Sequence, residues 1–232
     1  MPRPTLSFAA ATLLLAACAG RGTSSSRPTP NVPYEMGIEG ARKRAAIDSV
    51  RYPYTQADVD FMSGMIHHHA QAIRMSKWAP ERGASDELLR LTGRIINAQT
   101  DEIAMMQGWL DERNKPVPRL DSLGNVIMDH AMHGMHETMM PGMLTDVQMD
   151  SLDRARGEQF DILFLQYMIQ HHRGAVTMVR TLLGSTGAAQ NEQVFKFAAD
   201  VEVDQSTEIK RMYQMLLTRG VMPAAPASPT QP

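Results

Sequence analysis

The chain has 232 residues and a formal charge of −2, with 23 Lys and Arg against 25 Asp and Glu. That balance excludes the basic footprint expected of a nucleic-acid partner or an anionic membrane surface. A lone cysteine, Cys18, excludes an internal disulfide or a multi-thiolate metal site, so an apolar core must hold the fold.

The first 17 residues read as a signal peptide. Arg3 precedes an apolar run, Leu6 to Ala17, that is too short to span a bilayer. The run closes as Leu-Ala-Ala-Cys, which resembles the lipobox of bacterial lipoproteins and makes Cys18 the expected lipidation site. Ala19 rather than Asp follows it, which resembles sorting to an outer membrane facing the periplasm. Residues 18–33 are a Gly/Ser/Pro-rich tether, and 221–232 form a polar, proline-rich tail. Contact with the membrane is expected through the lipid alone.

Residues 34–53 leave room for a short helix, and 54–220 read as the folded domain. Thr55 followed by Asp58 starts a helix whose apolar residues recur at Phe61, Met62, Met65, Ile66, Ala72, Ile73 and Met75. Gly83 breaks it. Ser85 caps the next helix, which carries Leu88, Leu91, Ile95, Ile103, Met106 and Leu110 and stops near Pro116. Residues 117–144 connect to a second half, 145–220, that repeats the plan. Thr145 and Gln148 form a capping box, and the helical pattern resumes beyond Gly157. Gly184 to Gly187 make a turn, and a last helix runs to about Leu217. The first half is 54–116, and "QTDEIAMMQGWL" from Gln99 aligns without a gap on "QSTEIKRMYQML" from Gln205. Each half is a helix hairpin that would leave an apolar stripe wet by itself. The expected fold is therefore all-α, a four-helix bundle made of two repeated hairpins.

The repeat has a distinctive centre. "MIHHHAQAIRM" from Met65 and "MIQHHRGAVTM" from Met168 place His68 and His69, then His171 and His172, at a constant offset of 103 residues. The pattern Asp-x-x-Phe-x-x-x-Met-Ile-x-His-His occurs at Asp58, Phe61, Met65, Ile66, His68 and His69, and again from Asp161 to His172. With Gln99/Glu102 and Gln205/Glu208, it resembles domain-of-unknown-function family 305 over about Tyr54 to Leu217. That resemblance implies a ferritin-like helical bundle of bacteria, often associated with copper handling outside the cytoplasm.

Two chemistries fit the paired histidines. Neighbouring helical residues point about 100° apart, so each histidine has its own surroundings. His68 and His69 adjoin Met65, and His171 and His172 adjoin Met168, giving imidazole and thioether on neighbouring lines. Such donors suit copper, Cu(I) above all, and suit Mg²⁺ or Ca²⁺ poorly. Alternatively the histidines form a core hydrogen-bond network with Gln99/Glu102 and Gln205/Glu208, with the methionines as core filler. A di-iron centre is not expected, because no Glu is followed by His three residues later. No nucleophile elbow, zinc-protease or phosphate-loop motif occurs either, so binding is expected before catalysis.

The connection adds a second candidate site. "MDHAMHGMHETMMPGM", Met128 to Met143, holds three of the eight histidines and six of the 19 methionines. Gly134, Pro141 and Gly142 disfavour a long packed helix there. His130, His133 and His136 alternate with Met132, Met135 and Met139, so a local turn gathers both donor types for a soft metal. The competing account is an apolar cap over one end of the bundle. The whole pattern predicts an extracytoplasmic, lipid-anchored protein that sequesters or delivers copper; its rival is a structural bundle whose histidines lock the core. Protein partners and oligomeric state are not legible.

Overall fold

The computed structural model describes residues 35–121, 126–127 and 140–222. It is built of helices α1 (Gly37–Arg51), α2 (Gln56–Lys77), α3 (Asp86–Glu112), α4 (Asp146–Arg154), α5 (Gly157–Gly184) and α6 (Glu192–Thr218). Between α3 and α4 lies one antiparallel pairing, β1 (Arg119–Leu120) with β2 (Val126–Ile127). The fold class is all-α. Among the described residues no helix is long and apolar enough to cross a membrane.

Local chemistry sets the helix starts. The Thr55 backbone N–H donates to Asp58 Oδ2 at 2.6 Å, closing the first turn of α2. Ser85 Oγ accepts from the Leu88 N–H at the start of α3. Thr145 and Gln148 exchange reciprocal hydrogen bonds at the head of α4. Asn191 Oδ1 takes both the Val194 N–H and the Trp109 indole N–H, so one cap also ties α6 to α3. Each bond satisfies a backbone donor that the helix leaves open at its first turn.

The long helices pair as two hairpins, α2 with α3 and α5 with α6, joined chiefly through α2 and α5. α1 lies against α3, where Arg42 Nη2 meets Asp111 Oδ1 at 3.0 Å. The repeated aspartates interlock the hairpins. Asp58, on α2, accepts from the Ala189 N–H in the α5–α6 turn at 2.7 Å. Asp161, on α5, accepts from the Ser85 N–H at the α2–α3 turn and from Arg219 Nη2, both at 3.2 Å. Each motif aspartate thus anchors its hairpin to the turn of the other.

The core is in two parts. One cluster holds Met65, Ile66, Ile103, Ala175 and Val201; the other holds Ala72, Ile95, Met168, Ile169 and Met212. Along every long helix the polar motif residues fall between the two. His68 and His69 separate Ile66 from Ala72, His171 and His172 separate Ile169 from Ala175, and Gln99 and Gln205 separate their own apolar flanks. A polar layer therefore crosses the middle of the bundle.

Candidate metal centre

The layer is dry: His68, His69, His171 and His172 are each 0% exposed. The His68 and His171 rings stack across the α2–α5 seam, with centroids 3.8 Å apart and planes inclined at 41°. Flanking them, His172 Nε2 donates to Glu208 Oε2 at 2.7 Å. His69 Nε2 approaches Glu102 Oε2 at 2.6 Å. That second contact has the distance of an ion pair but not the alignment of a hydrogen bond, and both atoms count as unsatisfied.

Partners on one ring nitrogen determine what the other can do. His68 Nε2 lies 3.0 Å from the Pro141 carbonyl oxygen, which can only accept. The proton therefore sits on Nε2, and Nδ1 presents a lone pair into the core. His172 Nε2 likewise carries a proton, because it faces a carboxylate. Among the described residues neither Nδ1 has a hydrogen-bond partner, nor does either nitrogen of His171, although that ring faces the backbone of His68. Burial pushes the His68 imidazolium down to about 3, helped by repulsion from His69 and His172. Burial also holds His171 well below the usual range, reinforced by His68, His172 and His69. Both rings are neutral at pH 7, the state in which imidazole is a metal ligand.

Thioethers reach this seam by an unexpected route. The segment from Met140 to Gly142 lies directly on the two central helices. A Cβ on Gly174 would stand 1.9 Å from the Pro141 oxygen, and one on Gly142, where φ is +80°, would stand 2.7 Å from the Gln170 oxygen. Only glycine permits that approach at either place. One turn before His68, a Cβ on Gly64 would sit 3.4 Å from both Met140 Sδ and Met178 Cε. Gln71 clamps the following residue, donating to the Leu144 oxygen and accepting from its N–H at 2.8 Å. The sequence motif drew attention to Met65 and Met168, which are wholly buried in the two separate apolar clusters. The methionines that converge on the bare surface of Gly64, one helical turn before His68, are Met140 and Met178. Met140 carried only the signal of a dense Met run, and Met178 that of the motif's final position. His67, also buried and held low by burial, occupies the place taken by Gln170 in the second repeat.

The candidate ligands His130, Met132, His133, Met135, His136 and Met139 lie outside the described residues, as does Cys18. Among the described residues no group of three or more His, Cys, Asp or Glu side chains is arranged to hold a metal ion. A chelate at this centre thus needs sulfur donors or a rearrangement of the rings.

With the geometry in place, comparison with known proteins is informative. The family model described as Domain of unknown function (DUF305) matches residues 58–216, which takes in all of α2 except its first two residues and the whole histidine layer. The chain belongs to the DUF305 family. Its fold is similar to that of a DUF305 protein from Streptomyces coelicolor, at 31% identity and a TM-score of 0.59, covering 73% of this chain and 98% of the other. It is also similar to CopM in the Cu(I)-bound form, at 30% identity and a TM-score of 0.52, covering 70% and 96%. CopM has further been seen in a Cu(II)-bound form. The uncharacterized protein L153 of Acanthamoeba polyphaga mimivirus is 44% identical over 62 residues, 25% of this chain, which spans 41% of that protein's length.

Proposed function

We propose that this DUF305 protein binds copper outside the cytoplasm, for sequestration or delivery, and is held to a membrane by lipid on Cys18. The observation that carries the reading is the set of buried imidazole nitrogens at His68, His171 and His172 that find no hydrogen-bond partner among the described residues. A buried polar atom left unpaired costs about 1–3 kcal/mol, so three in one layer are a poor way to stabilise a core. They are a good way to receive a cation that prefers nitrogen. Met140 and Met178, packed at Gly64 one helical turn before His68, offer thioether, a donor mixture that favours Cu(I) while imidazole also accepts Cu(II). The similarity to copper-bound CopM supports the same choice of metal. In this reading the Met/His-rich connection, through His130, His133, His136, Met132, Met135 and Met139, gathers the ion and leads into the seam at Met140.

One observation favours the structural rival. His172 and Glu208 make a sound hydrogen bond, so part of the layer is a network that docks α5 against α6. The two readings divide the layer: Glu208 holds the His172 ring in place, and His171 is left open. Metal analysis of the purified domain, with Cu(I), Cu(II) and Zn(II) offered in competition, tests the proposal. Copper retained in stoichiometric amount supports it, and no retained metal refutes it.

A further inference from the structure

The histidine layer has two dissimilar flanks. Toward the α2–α5 seam stand Pro141, Met140 and Met178. On the opposite flank, α3 and α6 enclose an open groove of about 400 Å³ lined by Asp101, Glu102, Asp200 and Asp204, with Lys196 as its one cationic residue. Lys196 is already engaged with Asp200 at 2.8 Å on the same helix. No cation pairs with Asp101 or Asp204 among the described residues. The Asp204 carboxyl is raised by partial burial and by repulsion from Glu102, Asp200 and Glu208, so these groups share one negative field.

Clustered acids on a helical surface are commonplace, but this groove has a floor. His69, wholly buried, directs Nε2 at Glu102 Oε2 from 2.6 Å, and neither atom is satisfied as a hydrogen bond. Glu208, one turn beyond Asp204, reaches the buried His172 through a formed hydrogen bond. The carboxylates at the mouth are therefore continuous, through two Glu–His contacts, with the unpartnered nitrogens inside.

We propose that the α3–α6 groove is the entry route for a hydrated divalent cation, with Asp101, Asp200 and Asp204 collecting it and Glu102 passing it to His69. For copper this rests on the binding reading above, and the cation is Cu(II). A hydrated dication prefers oxygen donors at first contact, whereas Cu(I) prefers the sulfur-bearing seam. The two flanks thus sort the oxidation states. Since no chelating cluster exists in the groove, it steers rather than stores. A cleft of one charge raises capture rates by about 10- to 10³-fold, with steep dependence on salt.

The test uses the full chain carrying Asp101→Asn, Asp200→Asn and Asp204→Asn, all exposed positions, where the one pairing lost is the surface contact of Asp200 with Lys196. Stopped-flow mixing with glycine-buffered Cu(II) should show uptake slowed about tenfold and a flattened response to NaCl, with the final copper content unchanged. Uptake of Cu(I) from its acetonitrile complex should keep the wild-type rate. Equal Cu(II) rates in variant and wild type overturn the proposal, and so does a lower final copper content, which would make the acids ligands. Mn(II) separates the two ideas: it should broaden the amide resonances of α3 and α6 around the groove in wild type and spare the variant. If wild type holds no copper yet shows that broadening, the copper reading fails and the cation route stands. Absence of broadening overturns the route.

Discussion

His68 Nε2 meets the Pro141 carbonyl oxygen at 3.0 Å across 73 residues of chain. One bond fixes the tautomer of a core histidine and seats the end of the Met/His-rich connection on the bundle. The paired histidines and the last residues of the Met-rich stretch, far apart in the sequence, thus meet.

The inner and outer histidines should respond oppositely to removal. His171→Leu discards two unpartnered nitrogens and keeps an apolar side chain, so apo stability should hold or rise while bound copper falls. His172→Leu strands Glu208 and should lower apo stability by about 1–3 kcal/mol. Thermal unfolding of both variants, with and without copper, checks the contrast; a His171→Leu protein that is less stable and keeps its copper would favour a purely structural layer.

Gly174→Ala should dislodge the connection. The new Cβ meets the Pro141 oxygen far inside van der Waals contact, and backbone on both sides leaves little room to yield. A loss of about 1–3 kcal/mol is expected, the usual cost of overpacking. Hydrogen exchange at Met143 and Leu144 should quicken, and Cu(I) affinity should drop. Unchanged exchange in a folded variant would show that the segment does not bear on the seam.

Acid should weaken the apo fold before its carboxylates titrate. His68 and His171 have depressed values in the fold, whereas unfolded histidine titrates near 6.5. Above that point both states are neutral and contribute no pH dependence. Below it the unfolded chain binds more protons than the native one, so stability falls from pH 6.5 toward the His68 value of about 3. Each group contributes at most about 1.4 kcal/mol per pH unit. Urea midpoints at pH 7 and pH 5 should differ, and the difference should shrink in a His68→Asn, His171→Leu double variant.

Sulfur and nitrogen donors can be separated by oxidation state. Replacing Met132, Met135, Met139, Met140 and Met178 with Leu keeps apolar bulk and removes the thioethers. Helicity should persist, Cu(I) affinity should fall at least tenfold, and most Cu(II) affinity should remain through the imidazoles. Equal Cu(I) affinity in that variant would leave the methionines as an apolar cap.

The anchor is tested by fractionation. Cys18→Ser should move the exported protein from the membrane to the soluble fraction. A wild-type protein already soluble after export would end the lipoprotein reading.

Much of the fold is legible residue by residue. Thr55, Ser85, Thr145 and Gly83 punctuate the chain where helices start and stop, because caps and positive-φ turns are local chemistry. The offset of 103 residues between the histidine pairs announces two similar hairpins, since a repeated apolar stripe needs a repeated partner. The donor types follow from composition alone. Periodicity does not say which side chain on a buried helix meets which element. Met65 and Met168 stand one turn from the histidines in sequence and are wholly buried, each in a different apolar cluster. Met140 joins the site only because Gly142 and Gly174 let two backbones touch, a contact set by docking α2 on α5. The aspartates of the motif likewise look like companions of the histidines, but the opposite hairpin turns them into anchors for its turn. Local sequence dictates helices and their ligand chemistry because both depend on near neighbours. Where lone pairs point, and which thioether stands beside them, depends on atoms distant in the chain, and those meet only in the assembled bundle.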